Sequence, residues 1–288
     1  MKILFLGTGA GDACFIDDSS PAQGHAARAL ELGGKNLRGP AAVLLEPDIR
    51  IDYGEAGAFE RHGVDERQVR HLVLTHGHGD HLQPKDILAF AARQPNGIDV
   101  YGNNTVVDAI AFAAAHDWDA KAGRFRSRVS DAVVRLHRVR PGDTFSVSDA
   151  SFTALQANHF IQKLDMIVDQ QALNYVIERG GKTLFYGLDS SYPLPGTIRQ
   201  LRQYRFDAVI IDTTFGDMEI DLTGSGHMNF TIAGELFVEL RAQGTITDDT
   251  VLLPAHLSME HVRPHEDIVS EMSTRGLRLP YDGLRLEL

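Results

Sequence analysis

The most informative segment of this chain is Thr75-His76-Gly77-His78-Gly79-Asp80-His81. It follows the mainly apolar run Val69-Arg70-His71-Leu72-Val73-Leu74, which predicts a buried strand that ends in a turn whose glycines permit tight backbone angles. Two histidines spaced two residues apart can point at one metal ion, and the Asp-His pair that follows can turn towards a second. Imidazole nitrogens and carboxylate oxygens suit zinc, manganese or iron. A polar loop that is rich in histidine by chance is the alternative, but such a cluster after a buried strand has few structural uses, so we expect a metal site.

The composition is that of a soluble globular protein and argues against several classes of function. The net charge is −11 and no run is rich in Lys or Arg, which argues against an extended nucleic-acid or membrane-binding face. A substrate with one phosphate is compatible with this charge, because metal ions supply local positive charge. The single cysteine, Cys14, leaves no internal disulfide and no cysteine zinc cluster. No stretch approaches the ~20 apolar residues of a membrane span, and residues 1–7 predict a strand rather than a signal peptide, so we expect a cytoplasmic protein.

Predicted strands and helices alternate along the chain, with no linker, repeat or low-complexity segment between them. We therefore expect a single domain over residues 1–288. An alanine-rich helix is predicted from Asn104 to about Trp118. Residues 12–41 and residues 160–171 show no clear period, and we predict that both are loops that shape the pocket.

Three further polar residues come directly after predicted strands in the second half of the chain. His159 follows the strand at 151–156, Asp189 follows the strand at 183–188, and His256 ends the strand that begins at Val251. Taken singly, each is more typical of a polar residue that is satisfied by a neighbour. Four similar strand ends in one chain indicate that the loops meet at one edge of a layered fold. Asp52 ends another predicted strand, and we expect it either to cap a turn or to orient a ligand histidine.

The motif at residues 75–81, followed in order by His159, Asp189 and His256, resembles the metallo-β-lactamase superfamily over nearly the whole chain. The resemblance implies an α/β fold, an αββα four-layer sandwich with a dinuclear metal site at one edge. It also implies the ligands of each ion. His76, His78 and His159 would bind one ion, Asp80, His81 and His256 would bind the other, and Asp189 would bridge the two.

The cofactors implied by this ligand set are two divalent metal ions, with zinc or manganese foremost and iron as a further option. Two such ions about 4 Å apart can share a hydroxide as the nucleophile and can hold the attacked and leaving oxygens of an ester. We expect Asp80 to act in catalysis as well as in metal binding, by orienting the nucleophile.

A second resemblance concerns Gly226-His227-Met228-Asn229, which lies in a loop before a predicted helix. It is similar to the extra histidine motif of the phosphodiesterase branch of the superfamily. That branch includes the transfer-RNA 3′-processing endonucleases and the phosphoribosyl cyclic phosphodiesterase. The resemblance implies that His227 stabilises the phosphate or protonates the leaving group. The alternative is a loop histidine at a helix entry, with no catalytic role.

The cyclic phosphodiesterase is the more similar of these two relatives. Residues 27–38 resemble the segment before its second strand, and the chain lacks a long basic arm for transfer RNA. Two departures concern substrate identity. Many relatives of that kind carry a cysteine-rich zinc cluster in the early loop, which this chain lacks, and the loop at 160–171 looks longer than usual.

We therefore predict a metal-dependent hydrolase that acts on a small phosphodiester, with cyclic diesters among the candidates. The expected partner is this small-molecule substrate, and dimers among the relatives make a homodimer a further expectation. The first alternative is hydrolysis of a thioester, a lactone or a β-lactam, which would leave His227 without a role. The second alternative is a metal-binding accessory protein that has kept the fold and lost turnover.

Overall fold

The fold is described by a computed structural model for residues 1–15, 24–159, 172–220 and 226–288. In chain order, the strands are β1 (Lys2–Gly7), β2 (Ala42–Leu45), β3 (Ile49–Ile51), β4 (His71–Val73), β5 (Ile98–Gly102), β6 (His116–Asp119), β7 (Arg124–Ser127), β8 (Val134–Arg138), β9 (Thr144–Val147), β10 (Ala150–Gln156), β11 (Leu173–Arg179), β12 (Lys182–Gly187), β13 (Ala208–Asp212), β14 (Val251–Ala255) and β15 (Arg285–Glu287). The helices are α1 (Gly24–Leu32), α2 (Ala58–Arg61), α3 (Pro84–Ala92), α4 (Asn104–Ala115), α5 (Pro195–Leu201), α6 (Phe230–Ala242) and α7 (His265–Thr274).

The strands form two large sheets and one separate hairpin. The first sheet has the order β15-β1-β2-β3-β4-β5-β8, and the second has the order β14-β13-β12-β11-β10-β9. Strands β3, β4, β5 and β8 pair in parallel, as do β12, β13 and β14. Parallel neighbours end at the same edge of a sheet, so the loops that follow these strands gather at that edge.

Alternating side chains along the strands separate three apolar layers. Val43 packs between the two sheets, whereas its neighbour Leu44 packs against the helices on the outer face of the first sheet. Helices α3 and α4 cover that outer face, with Ile87 and Ile110 buried in the contact. Helices α5, α6 and α7 cover the outer face of the second sheet. The predicted αββα sandwich is therefore confirmed.

Helix α6 shows how the sequence sets a boundary that matters for the site. The side chain of Asn229 accepts a hydrogen bond from the backbone N–H of Ile232 at 2.8 Å, which is the expected N-terminal cap. Leu236 and Leu240 are buried on one face, where burial of each leucine contributes about 2 kcal/mol, while Val238 stays exposed on the other. This cap fixes the position of the loop that precedes the helix, and that loop carries His227.

Part of the segment at 12–41 was predicted wrongly as loop, because residues 24–32 form helix α1. The buried face of this helix consists of Ala26 and Ala29, which pack against Met259. Alanines give a weak hydrophobic period, so the pattern did not reveal the helix. The second predicted loop, at residues 160–171, lies outside the described residues.

The helix predicted to reach Trp118 was also wrong at its end, because α4 stops at Ala115. The next residues form the hairpin of β6 and β7, in which Trp118 pairs with Phe125 and the two rings lie 5.1 Å apart. Phe112 of α4 contacts the Phe125 ring edge-on, so cross-strand aromatic packing stabilises the hairpin where helix propensity falls.

No helix among the described residues is long and apolar enough to cross a membrane.

Candidate metal centre

The polar residues predicted to converge are brought together at one edge of the sandwich. The turn at 75–81 follows β4 of the first sheet, whereas His159, Asp189 and His256 follow β10, β12 and β14 of the second. Among the described residues, three groups of side chains there have four ligand-type atoms within 4.8 Å of one another, and two of these groups consist entirely of predicted ligands. Their members are His76, His78, His159 and Asp189 in the first group, and Asp80, His81, His256 and Asp189 in the second.

In the first group, three ring nitrogens face one point. Nδ1 of His78 lies 2.9 Å from Nε2 of His76 and 3.2 Å from Nε2 of His159. Oδ1 of Asp189 lies 3.8 Å from the same nitrogen of His76 and 3.7 Å from that of His159. Three imidazoles and a carboxylate form a nitrogen and oxygen donor set that suits a divalent transition metal.

The second group is assembled in the same way around the other oxygen of Asp189. Nε2 of His81 and Nε2 of His256 lie 2.9 and 3.2 Å from Oδ2 of Asp189. Oδ2 of Asp80 lies 3.2 Å from the His81 nitrogen and 3.4 Å from the His256 nitrogen. Asp189 thus presents one oxygen to each group, as a bridging carboxylate requires.

One atom of this bridge is left unsatisfied by the protein itself. Oδ2 of Asp189 is buried, and the ring nitrogens of His81 and His256, at 2.9 and 3.2 Å, are not aligned to donate a hydrogen bond to it. A buried carboxylate oxygen without a donor is costly, and a cation removes that cost. The donor set and this orphaned oxygen therefore fit a divalent metal ion.

The far nitrogens of four of the five histidines lie beside neighbouring polar groups, which favours the direction in which those rings point. Nδ1 of His81 lies 3.0 Å from Oδ2 of Asp52, at ion-pair distance although not aligned for a hydrogen bond, so the expectation that Asp52 orients a histidine agrees with its position. Nδ1 of His159 lies 2.8 Å from the carbonyl oxygen of Gly226. Two threonine hydroxyls act on the remaining rings: Thr75 Oγ1 lies 3.0 Å from His76 Nδ1, and Thr214 Oγ1 lies 2.8 Å from His256 Nδ1.

Backbone strain is concentrated at the same place. Four non-glycine residues in the described part of the chain have a φ angle in the left-handed region, and three of them are Asp52, Asp189 and His256, at 55°, 49° and 58°. This conformation is unfavourable for residues with a Cβ and persists where surrounding contacts enforce it. Each of the three follows a strand, so the strain turns a strand end towards the centre.

The glycines of the turn at 75–81 have a different role from the one expected. Neither Gly77 nor Gly79 has a positive φ, so tight angles are not what requires them. A Cβ on Gly77 would lie 2.6 Å from Cγ2 of Thr105 at the start of α4, whereas a Cβ on Gly79 would meet nothing within 4 Å. Close approach of the turn to α4 therefore requires glycine at position 77.

Burial favours the neutral form of two histidines in the first group, His76 and His159. Burial, reinforced by the nearby His81, holds the pKa of His76 well below its usual range. Burial also lowers the pKa of His159 to about 4. An imidazole that stays neutral keeps a lone pair for a metal ion.

In the second group, opposite charges on neighbouring side chains shift the pKa values more than burial does. Burial opposes ionisation of Asp80 and Asp189, but neighbouring histidines hold the pKa of both carboxyls well below the usual range. Burial likewise opposes the charged forms of His81 and His256, yet Asp189 and the other acids raise the pKa of His81 well above its usual range and that of His256 to about 9. The raised pKa values show that the carboxylates favour positive charge at this point, which a divalent cation would also supply.

His227 lies beside both groups and is held by an aspartate that sequence reasoning missed. Nδ1 of His227 lies 2.8 Å from Oδ2 of Asp212. The His227 ring stacks on His256, with centroids 5.3 Å apart, and meets His159 edge-on at 4.9 Å. Burial would lower the pKa of His227, but Asp212 outweighs it and raises that pKa.

Asp212 itself is fully buried and its oxygens already have donors. Its Oδ1 accepts hydrogen bonds from the backbone N–H and hydroxyl of Thr214, both at 3.0 Å, and from the backbone N–H of Met228 at 3.1 Å. A signal for Asp212 was present in the sequence, because this residue ends the buried strand β13 just as Asp189 follows β12. The strand-end pattern that indicated Asp189 could therefore have indicated Asp212 as well.

A pocket of about 250 Å³ opens over the two groups. The chain at Gly11 lies beside it, since a Cβ on Gly11 would be 3.2 Å from Oδ2 of Asp80. Rim residues that no sequence pattern indicated are Phe215, Glu260 and His261. The pocket is small and polar, so it suits a small substrate better than a polymer.

Comparison with known proteins agrees with this geometry. Residues 50–247 match the family model described as "Beta-lactamase superfamily domain". No curated protein sequence matches the chain. Among solved structures, a diphosphatase from the PhnP family has a TM-score of 0.70 at 18% identity, covering 100% of this chain and 97% of its own.

Two further structures show the same fold at low identity. Zn(2+)-bound PqqB from Methylobacterium extorquens has a TM-score of 0.71 at 15% identity, with 100% of both chains covered. The short form of human tRNase Z has a TM-score of 0.63 at 17% identity, covering 100% of this chain and 99% of its own. With the family match over most of its length and a histidine and aspartate cluster at the expected edge, the chain belongs to the metallo-β-lactamase superfamily and is a metal-dependent hydrolase.

Proposed function

We propose that this protein is a phosphodiesterase that uses two divalent metal ions and acts on a small phosphodiester. The observation that carries the proposal is the position of His227, which contacts rings of both ligand groups while Asp212 holds its Nδ1. A hydrolase of carboxylic esters or amides gives this pair no evident task. The name of the PhnP-family relative, a diphosphatase, and that of tRNase Z support phosphorus chemistry.

The proposed ligands are those of the two groups at the strand ends. His76, His78 and His159 would hold one ion, Asp80, His81 and His256 would hold the other, and Asp189 would bridge them. The third cluster that could hold a metal contains Asp212 and His227, but Asp212 is already saturated with hydrogen bonds. We therefore assign Asp212 to orienting His227. Zinc, manganese and iron all suit the nitrogen and oxygen donors.

When bound, the metal ions would lower the pKa of water and polarise the phosphate ester. The chain itself would place the substrate and move a proton. His227 donates its Nδ1 hydrogen to Asp212, which leaves Nε2 on the opposite side of the ring as the catalytic atom. From Nε2 a protonated His227 would donate a hydrogen bond to a non-bridging oxygen or a proton to the leaving alkoxide. Asp80, on the pocket wall, would orient the nucleophile.

The size and charge of the pocket support a small substrate. A volume of about 250 Å³ accommodates a simple diester, and the acidic side chains of Asp12 and Glu260 lie on its wall. With a net charge of −11, the chain would repel a long polyanion outside the metal centre. We propose that the whole of residues 1–288 forms this one hydrolase domain, because β1 and β15, outside the matched range, complete the first sheet.

The test is hydrolysis by zinc-loaded and manganese-loaded protein. We expect turnover of bis(p-nitrophenyl) phosphate and weaker or no turnover of a lactone, thioester and β-lactam panel. His227→Ala should lower kcat by about 10²–10⁴-fold because the proton donor is lost, with metal content unchanged. His116→Ala, on the remote hairpin, is the matched histidine control and should behave like the unmodified protein.

Two results would contradict the proposal. Unchanged diester turnover in His227→Ala would reject the role of His227. Turnover of a lactone, thioester or β-lactam without turnover of any phosphodiester would favour the alternative carboxylic substrates.

A further inference from the structure

A second cavity lies behind the wall of the metal-centre pocket. Its volume is about 560 Å³, enough for a ligand of metabolite size. The segment from Gly9 to Ala13 separates the two: a Cβ on Gly9 would lie 3.1 Å from Cβ of Arg38, which lines the second cavity, and a Cβ on Gly11 would lie 3.2 Å from Oδ2 of Asp80. The second cavity is therefore close to the metal centre but distinct from it.

Arg38 is the unusual member of this cavity. Its side chain is 6% exposed, and Nη1 is buried with no hydrogen-bond partner among the described residues. Nη2 donates to the carbonyl oxygen of Arg263 at 3.1 Å, which satisfies a hydrogen bond but supplies no opposite charge. In the described part of the chain, no carboxylate lies within ion-pair distance of this guanidinium. A buried cation in that state is costly unless an anion joins it.

The acids that share the cavity already have other partners. Asp282 accepts hydrogen bonds from the Thr8 hydroxyl at 2.8 Å and from the backbone N–H of Gly39 at 2.6 Å. Glu55 forms an ion pair with Arg61 at 2.5 Å. Asp282 and Asp12 therefore act on Arg38 only through space, and burial raises the pKa of Asp282 to about 6. The Arg38 guanidinium is therefore the charged group of this cavity that is left to pair with a ligand.

The rest of the lining adds an apolar surface. Leu30 and Leu37 are 39% exposed at the cavity, and Met259 forms part of its wall. Carbon atoms of a ligand would gain burial against these side chains, while a charged end would pair with the guanidinium. A bare inorganic ion would leave most of the volume and the apolar wall unused.

We propose that this cavity is a second ligand site, which binds a small organic anion through a carboxylate or phosphate group on Arg38. The ligand is separate from the phosphodiester, because the Gly9–Ala13 segment lies between the two pockets. Bound there, it would press on the segment whose other face lines the pocket beside Asp80, so occupancy would change turnover without competing for the metal centre. The effect on turnover rests on the proposed function, whereas the binding itself does not.

Calorimetric titration of the metal-loaded protein with succinate, and separately with glycerol phosphate, tests the site. We expect saturable binding of at least one probe. Arg38→Met should weaken that binding about tenfold or more, since a hydrogen bond to a charged group is lost. Arg93→Met, at an exposed arginine paired with Glu66, is the matched control and should bind as the unmodified protein does.

Two further measurements separate ligand binding by Arg38 from binding at the metal centre and from a structural role of this arginine. Asp189→Asn, which disables the proposed metal centre, should keep probe binding, so a failed phosphodiesterase assay would not affect this result. Arg38→Met should also keep its melting temperature in anion-free buffer or gain a few degrees, because an unpaired buried charge is removed. Purely structural use of Arg38 would instead lower the melting temperature of this variant.

The inference is overturned if neither probe binds saturably, if binding survives Arg38→Met unchanged, or if binding disappears in Asp189→Asn. Strictly competitive inhibition of bis(p-nitrophenyl) phosphate hydrolysis by the bound probe would overturn the separation of the two sites. Mixed or non-competitive modulation would support it.

Discussion

Each of the two sheets supplies one half of the candidate metal centre. The two halves orient a histidine in the same way, but their residues span very different lengths of chain. In the first sheet, the Thr75 hydroxyl donates to Oδ1 of Asp52 at 2.8 Å and contacts His76. In the second sheet, the Thr214 hydroxyl donates to Oδ1 of Asp212 and contacts His256. Each half thus uses an aspartate after one strand and a threonine to orient a histidine after the neighbouring strand.

The halves differ in how far apart their members lie along the chain. Four candidate ligands of the first sheet fall within residues 76–81, so one turn holds them together. Those of the second sheet lie at 159, 189 and 256, and only the pairing of β12, β13 and β14 aligns the last two. The first half is therefore local and the second depends on sheet register. Perturbing matched residues in the two halves tests whether this difference has consequences.

The largest loss of metal and activity is expected at Asp189, which belongs to both halves of the centre. Asp189→Asn should reduce kcat/KM by at least about 10³-fold and remove metal from both groups, because each oxygen of Asp189 serves one of them. Asp80→Asn should remove metal from the second group only. Metal analysis and diester hydrolysis measure both effects. Equal metal loss in the two variants would show that Asp189 is no bridge.

The next effect concerns the pair that orients the proposed catalytic histidine. Asp212→Asn should lower turnover about 10–100-fold with metal content largely retained, because Asp212 fixes His227 from outside the ligand groups. Steady-state kinetics with metal analysis on the same sample measures it. Loss of metal with parallel loss of activity would instead place Asp212 among the ligands.

A smaller effect compares the two threonines. Thr75→Val and Thr214→Val keep the side-chain shape and remove the hydroxyl, so each should weaken metal affinity about tenfold through a misdirected histidine. Competition with a chromogenic chelator measures the affinity. We expect Thr214→Val to lower turnover further, since its hydroxyl also lies 3.2 Å from Nδ1 of His227. Identical turnover in the two variants would contradict the expected difference between Thr214, which also contacts His227, and Thr75.

The smallest effect tests how tightly the local turn is packed. Gly77→Ala should lower the free energy of unfolding by about 1 kcal/mol, because its Cβ would press on Thr105 at 2.6 Å. Gly79→Ala is the matched control, with no atom within 4 Å of its Cβ, and should be close to neutral. Urea unfolding measures both. A larger loss in Gly79→Ala would contradict the role of close approach at position 77.

Much of the fold and site followed from local patterns in the sequence. The strand before the turn at 75–81 and the helix that follows the loop at 226–229 both had sequence signals that the structure confirms. Helix α1 was not predicted, because its buried face consists of alanines. The β6–β7 hairpin was not predicted either, because its cross-strand aromatic contacts outweigh the weak helical signal of the alanine-rich segment before it. Asp212 was not predicted as a site residue, although it stands at the end of a strand as Asp189 does.

The sequence by itself determined the local half of the centre, because the turn at 75–81 brings its side chains within reach of one another whatever the remaining fold. Tertiary structure alone decided that Asp212 meets His227, that Asp189 divides its oxygens between two groups, and that Arg38 is buried without an anion. These contacts depend on strand order and register, and a slip of one residue would turn each strand-end side chain to the other face of its sheet. Sheet pairing therefore converts scattered residues into a site.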